Sequence, residues 1–282
     1  MVLLILVSAI ALGGCSNSDG FDTNSTINLV SREEGSGTRG AFVEILDILE
    51  KDEGGNEIDR TYEEAIIQNS TEAVISTVSG DKYSIGYISL GSLKDKVKAL
   101  KIDGVEASTE NIQNGSYKIS RPFNVAYKGE PSPLAKDFLN FILSEQGQTI
   151  VAEEGYVQVA TDLPSYNKNK QEGKLVIAGS TSVTPVMEKL AEAYEEMYPD
   201  VSIEIQATGS SAGMQAAMEG TADIGMASRE LKDSELAELT AQVIAIDGIA
   251  IIVNNENPIG DLTIDEVKSI YTGEITHWNM AQ

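Results

Sequence analysis

Three short segments of this 282-residue chain combine small residues with side-chain hydroxyls. They are Arg32 to Thr38 (REEGSGT), Gly179 to Thr184 (GSTSVT) and Thr208 to Gly213 (TGSSAG). Each follows a strand-like run and opens a helical one. The first turn of a helix presents unpaired N–H groups and a partial positive charge, so each segment is a candidate anion seat. Small residues let the backbone approach a guest, and Ser or Thr hydroxyls add donors. Pro185 fits a first helical turn, where its missing N–H would have no partner anyway. Arg32 brings a planar fork of donors suited to a tetrahedral oxyanion. The plain alternative for any one loop is an ordinary N-cap, and for Arg32 a surface ion pair with Glu33 or Glu34. Three such loops in one chain, one of them carrying an arginine, favour a shared oxyanion site.

Other chemistries have less to stand on. Gly209-Ser210-Ser211-Ala212-Gly213 fits the G-x-S-x-G pattern of a nucleophile elbow, with Ser211 as nucleophile. Its base would have to be His277, the only histidine, whose alternative is a loop-packing role. One His and one Cys make a poor metal site. No Gly-Lys-Ser/Thr follows the glycine loops, so they are not Walker loops. No cofactor, metal or catalytic residue is expected, and a serine hydrolase using Ser211 is kept only as a remote alternative.

The elements that must position these loops alternate along the chain. Strand-like runs cover Ile27–Val30, Ser84–Leu90, Phe123–Tyr127, Lys174–Ala178, Val201–Gln206 and Val243–Val253. A helical stripe falls at Phe42, Ile45, Leu46 and Leu49. Further helices are expected over Leu134–Leu143 and Val186–Met197, the latter with Met187, Leu190, Ala191 and Tyr194 on one face. This alternation predicts an α/β fold with largely parallel sheets. The length exceeds that of a usual single core and predicts one large or two smaller lobes. The polar tract Asp162 to Gly173 (DLPSYNKNKQEG) reads as a linker. Crossings between lobes are expected near Leu90–Lys96 and at Asn254–Gly260 (NNENPIG). The expected division is a leader and tether at 1–20, one lobe at 21–92 plus 255–282, and the other at 93–254, with the linker at 162–173.

The formal net charge is −24 and the pI about 4.3. That excludes nucleic acid, whose binders carry basic patches. It does not exclude a small buried anion, because surface charge is screened over about 8–10 Å. Cys15 is the only cysteine, so no intrachain disulfide is available. Val2 to Leu12 is apolar but about half the length that spans a bilayer. With Leu12-Gly13-Gly14-Cys15 it resembles a bacterial lipoprotein signal, which implies lipidation at Cys15 and a polar tether from Ser16. No Lys or Arg precedes the run, a departure from such signals; the alternative is a chance apolar N-terminus around a buried cysteine.

Four segments together carry a resemblance to a known family: KLVIAGSTSVTP (Lys174 to Pro185), ATGSSAG (Ala207 to Gly213), ADIGMASR (Ala222 to Arg229) and VSREEGSGTRG (Val30 to Gly40). Over almost all of Ile27 to Trp278 the chain resembles the phosphate-binding proteins of ABC importers. The resemblance implies a two-lobed type II periplasmic-binding-protein fold, each lobe a mainly parallel sheet flanked by helices, with the ligand in the interlobe cleft. It implies that Thr181, Ser182, Ser210 and Ser228 hold inorganic phosphate from one lobe. Arg32, Ser36, Gly37 and Thr38 would close on it from the other, with Glu34 bracing the arginine. The implied partner is an ABC permease, met by a monomer lipid-anchored outside the cytoplasmic membrane, as in Gram-positive cells. A phosphate or oxyanion sensor or adhesin on the same fold is the alternative. Two departures stand out. Some members carry Asp at the position of Ser228 to accept the guest's proton, so Asp247 is the candidate acceptor here. The family order also runs from the GSTS loop to ITHWN and then to VSREEGSGT, whereas this chain starts at that midpoint, as a circular permutation would.

Overall fold

The computed structural model describes residues 20–52 and 57–281; Cys15 and the expected leader and tether at 1–19 lie outside them. The chain begins in the lobe that carries Arg32. This lobe has β1 (Asn28–Arg32), α1 (Gly37–Ile45), the paired strands β2 (Leu49–Lys51) and β3 (Glu57–Asp59), β4 (Ile66–Gln68), α2 (Thr71–Gly80) and β5 (Ser84–Ser89). It continues through β6 (Val97–Ala99), β7 (Lys101–Ile102) and α3 (Thr109–Gln113). β8 (Ser120–Lys128) leads into the second lobe, with α4 (Pro133–Ile142), α5 (Glu145–Glu153), β9 (Gly173–Gly179), α6 (Thr184–Met197), β10 (Val201–Ala207), α7 (Ser210–Glu219), β11 (Ile224–Ala227) and α8 (Asp233–Leu236). The long β12 (Leu239–Asn254) returns, followed by β13 (Asp261–Leu262) and α9 (Ile264–Tyr271).

The two-lobed α/β architecture matches the expectation, but the sheet is continuous and mixed. Its order is β10-β9-β11-β8-β12-β5-β1-β4, with β6 also on β12. The outer strands are parallel, while β8 and β12 are antiparallel to each other and to their neighbours. These central strands carry the chain out to one lobe and back, so they must oppose each other. β12 pairs with β8 over Leu239–Gly248 and with β5 over Ile249–Val253. One strand thus serves both lobes.

The crossings consequently lie at Ser120–Arg121 and Asp247–Gly248, not at Leu90–Lys96 and Asn254–Gly260. Leu100, Ile102, Ile112, Tyr117 and Ile119 share a core with Ile27, Phe42 and Tyr271, so residues 93–118 belong to the Arg32 lobe. Ile249, Ile251 and Val253 join that core as well, which places 249–254 there too. Asn254–Gly260 is a turn from β12 towards β13, which pairs with β7. The other core gathers Phe138, Phe141, Val186, Met187, Leu190 and Tyr194, confirming the predicted apolar face of α6. The stripe from Phe42 breaks before Leu49, because Asp47 turns the chain with φ 50° and Leu49 opens β2 instead.

Candidate oxyanion site between the lobes

Helix N-termini from both lobes converge at the top of the cleft. Ser36 caps α1, its hydroxyl accepting from the Arg39 N–H at 3.3 Å. Ser70 caps α2 in the same way through Ala73. Opposite them stand the loop before α6 and the first turn of α7. The hydroxyls of Thr38 and Ser182 are 2.9 Å apart across the cleft. Thr71 reaches Ser182 at 3.1 Å and Thr181 at 3.4 Å. Within the second lobe Ser180 donates to Ser228 at 2.9 Å, and the Ser228 N–H donates to Ser210 Oγ at 3.2 Å. Gly37 faces this group so closely that a Cβ there would overlap Ser210 Oγ and lie 2.8 Å from Ser228 Oγ. Glycine is required at 37 for this approach.

Arg32 is 2% exposed and binds both lobes. Its Nε and Nη2 donate to the two carboxylate oxygens of Glu33 at 2.8 and 2.9 Å. Nη2 also reaches Thr181 Oγ1 at 3.2 Å, and Nη1 meets Thr71 Oγ1 at 3.5 Å. The brace expected at Glu34 is therefore supplied by Glu33, since Glu34 is turned outward and exposed. Next to the cluster, Arg229 packs against α1 at Gly40 and donates to Ser211 Oγ at 3.4 Å. Both Arg229 fork ends engage Glu235, at 2.7 and 2.8 Å. Burial works against the Glu235 carboxylate, but Arg229 holds it below its ordinary range.

The structure thus brings together Arg32, Ser36, Gly37, Thr38, Thr181, Ser182, Ser210 and Ser228. It adds Thr71 and Ser180, which sequence reasoning missed; the signal for Thr71 was the run Gln68-Asn69-Ser70-Thr71 between a strand and a helix. Asp247 is not joined to the hydroxyls: its carboxylate is held by Ser89 at 3.0 Å and Arg121 at 3.1 Å. It is thus unsuited to reading a guest's proton there. The hydrolase pairing also fails. His277 bonds Thr276 and bridges to Thr26, whereas Ser211 lies at the cleft, its N–H donating to the Gly35 carbonyl at 3.1 Å. Among the described residues no cluster of three or more His, Cys, Asp or Glu could hold a metal ion. What remains is a dense set of neutral donors around one braced guanidinium, the chemistry of oxyanion recognition.

A family model described as a PBP superfamily domain matches residues 17–146 and 164–282. The phosphate-binding protein PstS 2 of Streptococcus agalactiae is 48% identical over 285 residues, spanning 99% of this chain and 97% of its own. A crystal structure of a phosphate-binding protein of a phosphate ABC transporter from Streptococcus pneumoniae TIGR4 is 48% identical, with a TM-score of 0.73, covering 92% of this chain and 100% of that one. PstS of Bacillus subtilis is 38% identical over 140 residues only, 49% of this chain and 43% of its own. The chain belongs to the PBP superfamily and, within it, to the PstS phosphate-binding-protein family, sharing its chain order end to end with the PstS 2 member.

Proposed function

We propose that this protein captures inorganic phosphate between its lobes outside the cytoplasm and delivers it to an ABC permease, with no catalysis of its own. The observation that carries the reading is the meeting of Arg32, Thr38 and Thr71 from one lobe with Thr181 and Ser182 from the other. An anion held by one set offers its remaining oxygens to the other, and that differential contact favours closure. Ser36, Gly37, Ser210 and Ser228 complete the shell through N–H and hydroxyl donors. Micromolar affinity needs about −8 kcal/mol. Charge-assisted hydrogen bonds contribute about 1.5–3 kcal/mol each, so several of them reach that range after desolvation and closure are subtracted. The names of the S. agalactiae and S. pneumoniae relatives support phosphate as the guest and an ABC transporter as the recipient. No described helix is long and apolar enough to cross a membrane; a lipid on Cys15 would hold a monomer at the cell surface.

Calorimetric titration with phosphate and with sulfate tests this directly. Saturable heat with phosphate at micromolar concentration is expected, with weaker binding of sulfate. No heat with phosphate at low millimolar concentration ends the reading.

A further inference from the structure

A second concentration of buried charge lies at the two crossings, apart from the hydroxyl cluster. Arg121 on β8 and Asp247 on β12 are register partners. Their side chains are 1% and 0% exposed and form an ion pair at 3.1 Å. The two charges are anchored to different lobes. Ser89 Oγ and the Gly91 N–H, both from the Arg32 lobe, bond the Asp247 carboxylate. The Arg121 guanidinium instead rests 5.5 Å over the Phe123 ring of the other lobe. Tyr156, from that same lobe, fills the space where a Cβ on Gly91 would sit. Satisfaction of these groups is incomplete. Arg121 Nε and Nη1 and Ser92 Oγ are buried without a hydrogen-bond partner in the protein. Unmet buried donors, above all on a charge, raise the free energy of the form that buries them.

We propose that the Arg121–Asp247 pair is an opening spring in the hinge, raising the free energy of the closed form so that bound guest must overcome it. Rotation of the lobes about the crossings draws Ser89 and Gly91 away from the Asp247 carboxylate and lets water reach the unmet donors. Closure is thus costly until phosphate arrives, and release is eased when the permease engages. The titration of Asp247 fits this. Burial pushes its carboxyl up to about 6, although Arg121 and Ser89 act in the opposite sense. The groups facing it are Arg121, the Tyr156 and Tyr117 hydroxyls, both pushed up by burial and by Asp247 itself, and Ser89. Arg32 lies further off and acts on Arg121. A hydrated carboxylate titrates near about 4, so the closed form holds the proton more tightly than the open one. Closure then takes up a proton, and the spring is strong above pH 6 and slackens as pH falls through it.

The spring bears on the phosphate site and rests on that function only in one arm of its test. Arg121→Met combined with Asp247→Asn removes both charges at similar volume. This double variant is expected to bind phosphate about fivefold more tightly or better at pH 7.5, with slower dissociation. The advantage should shrink at pH 5.5. Unchanged or weaker affinity, in a variant that melts no lower than wild type, overturns the proposal. The second arm needs no ligand and no hinge variant. A dye pair at Glu72→Cys and Gln215→Cys, in a Cys15→Ser background, reports the distance between lobes without anion. Acidification from pH 8 to 5 should move the population towards closure, and an unchanged distance overturns the spring. Failure of wild type to bind phosphate would remove the proposed function while leaving this second arm to decide on the hinge.

Discussion

A methyl group at position 37 is the smallest change that would hold the lobes apart. A Cβ there meets Ser210 Oγ and Ser228 Oγ and lies 3.0 Å from Ser210 Cβ, an atom that no side-chain rotation moves. Neither lobe needs Gly37 for its own core, so the clash belongs to the closed form alone. Overpacking of this kind costs about 1–3 kcal/mol, and Gly37→Ala should weaken phosphate binding about five- to a hundredfold while leaving the melting temperature without phosphate unchanged. Titration beside thermal unfolding separates the two effects. At this scale the sequence was legible where residue type dictates chemistry: Arg32, Thr181 and Ser210 stand in segments that can do little else together. It was less legible where one residue of register decides. Glu33 and Glu34 are equal on paper, but only Glu33 lies beside the fork. Thr71 was hidden because a Ser-Thr pair before a helix looks like any N-cap. Asp247 looked free because nothing in its neighbourhood announced Arg121, 126 residues away in the chain.

Among the elements, the tract expected to be a bare linker turns out to be docked. The Tyr166 hydroxyl donates to the buried Asp137 carboxylate, which Tyr194 also donates to at 2.7 Å, and Tyr198 lies 2.8 Å from Tyr166. Tyr166 N–H reaches Gln146 Oε1 at 2.8 Å, tying the tract to α5 as well. Its low apolar content concealed this, because the docking rests on one aromatic with a polar tip and on polar contacts of its neighbours Pro164, Ser165 and Asn169. Tyr166→Phe leaves a buried carboxylate short of a donor, so a loss of about 1–2 kcal/mol is expected, lowering the melting temperature by a few degrees. Proteolysis within 162–172 should quicken, with phosphate affinity unchanged because the site is remote. Faster loss of affinity than of stability would contradict this assignment. The loop-to-helix units were readable because glycine, hydroxyl and apolar stripe follow one another locally. The crossings were not: β12 runs through both lobes as one apolar strand, and no break marks Gly248.

For the whole molecule, the question is whether chain order matters once the lobes exist. The S. agalactiae relative aligns over 97% of its own length and PstS of B. subtilis over 43% of its own, and the family resemblance implies an exchange of the two halves. The structure makes the exchange physically undemanding. Residues near the two ends run side by side in the Arg32 lobe: Ile27 N–H donates to the Thr276 carbonyl at 2.8 Å and Asn279 N–H to the Thr23 carbonyl at 2.7 Å. Ends this close tolerate joining, and an exposed tract tolerates opening. A chain that starts at Lys174, passes by a short Gly/Ser joint from Ala281 to Gly20 and stops at Val159 keeps both crossings and every helix that faces the cleft. Its phosphate affinity should stay within about threefold of the original, since no contact at the site is altered. Its stability should fall, since the Tyr166 anchor is gone and the unfolded chain is no longer tied at that point. Calorimetry and thermal melts on the rearranged chain test both halves of this expectation. A soluble, folded product that had lost affinity would mean that the 162–173 tract sets the geometry of the cleft rather than merely connecting its walls.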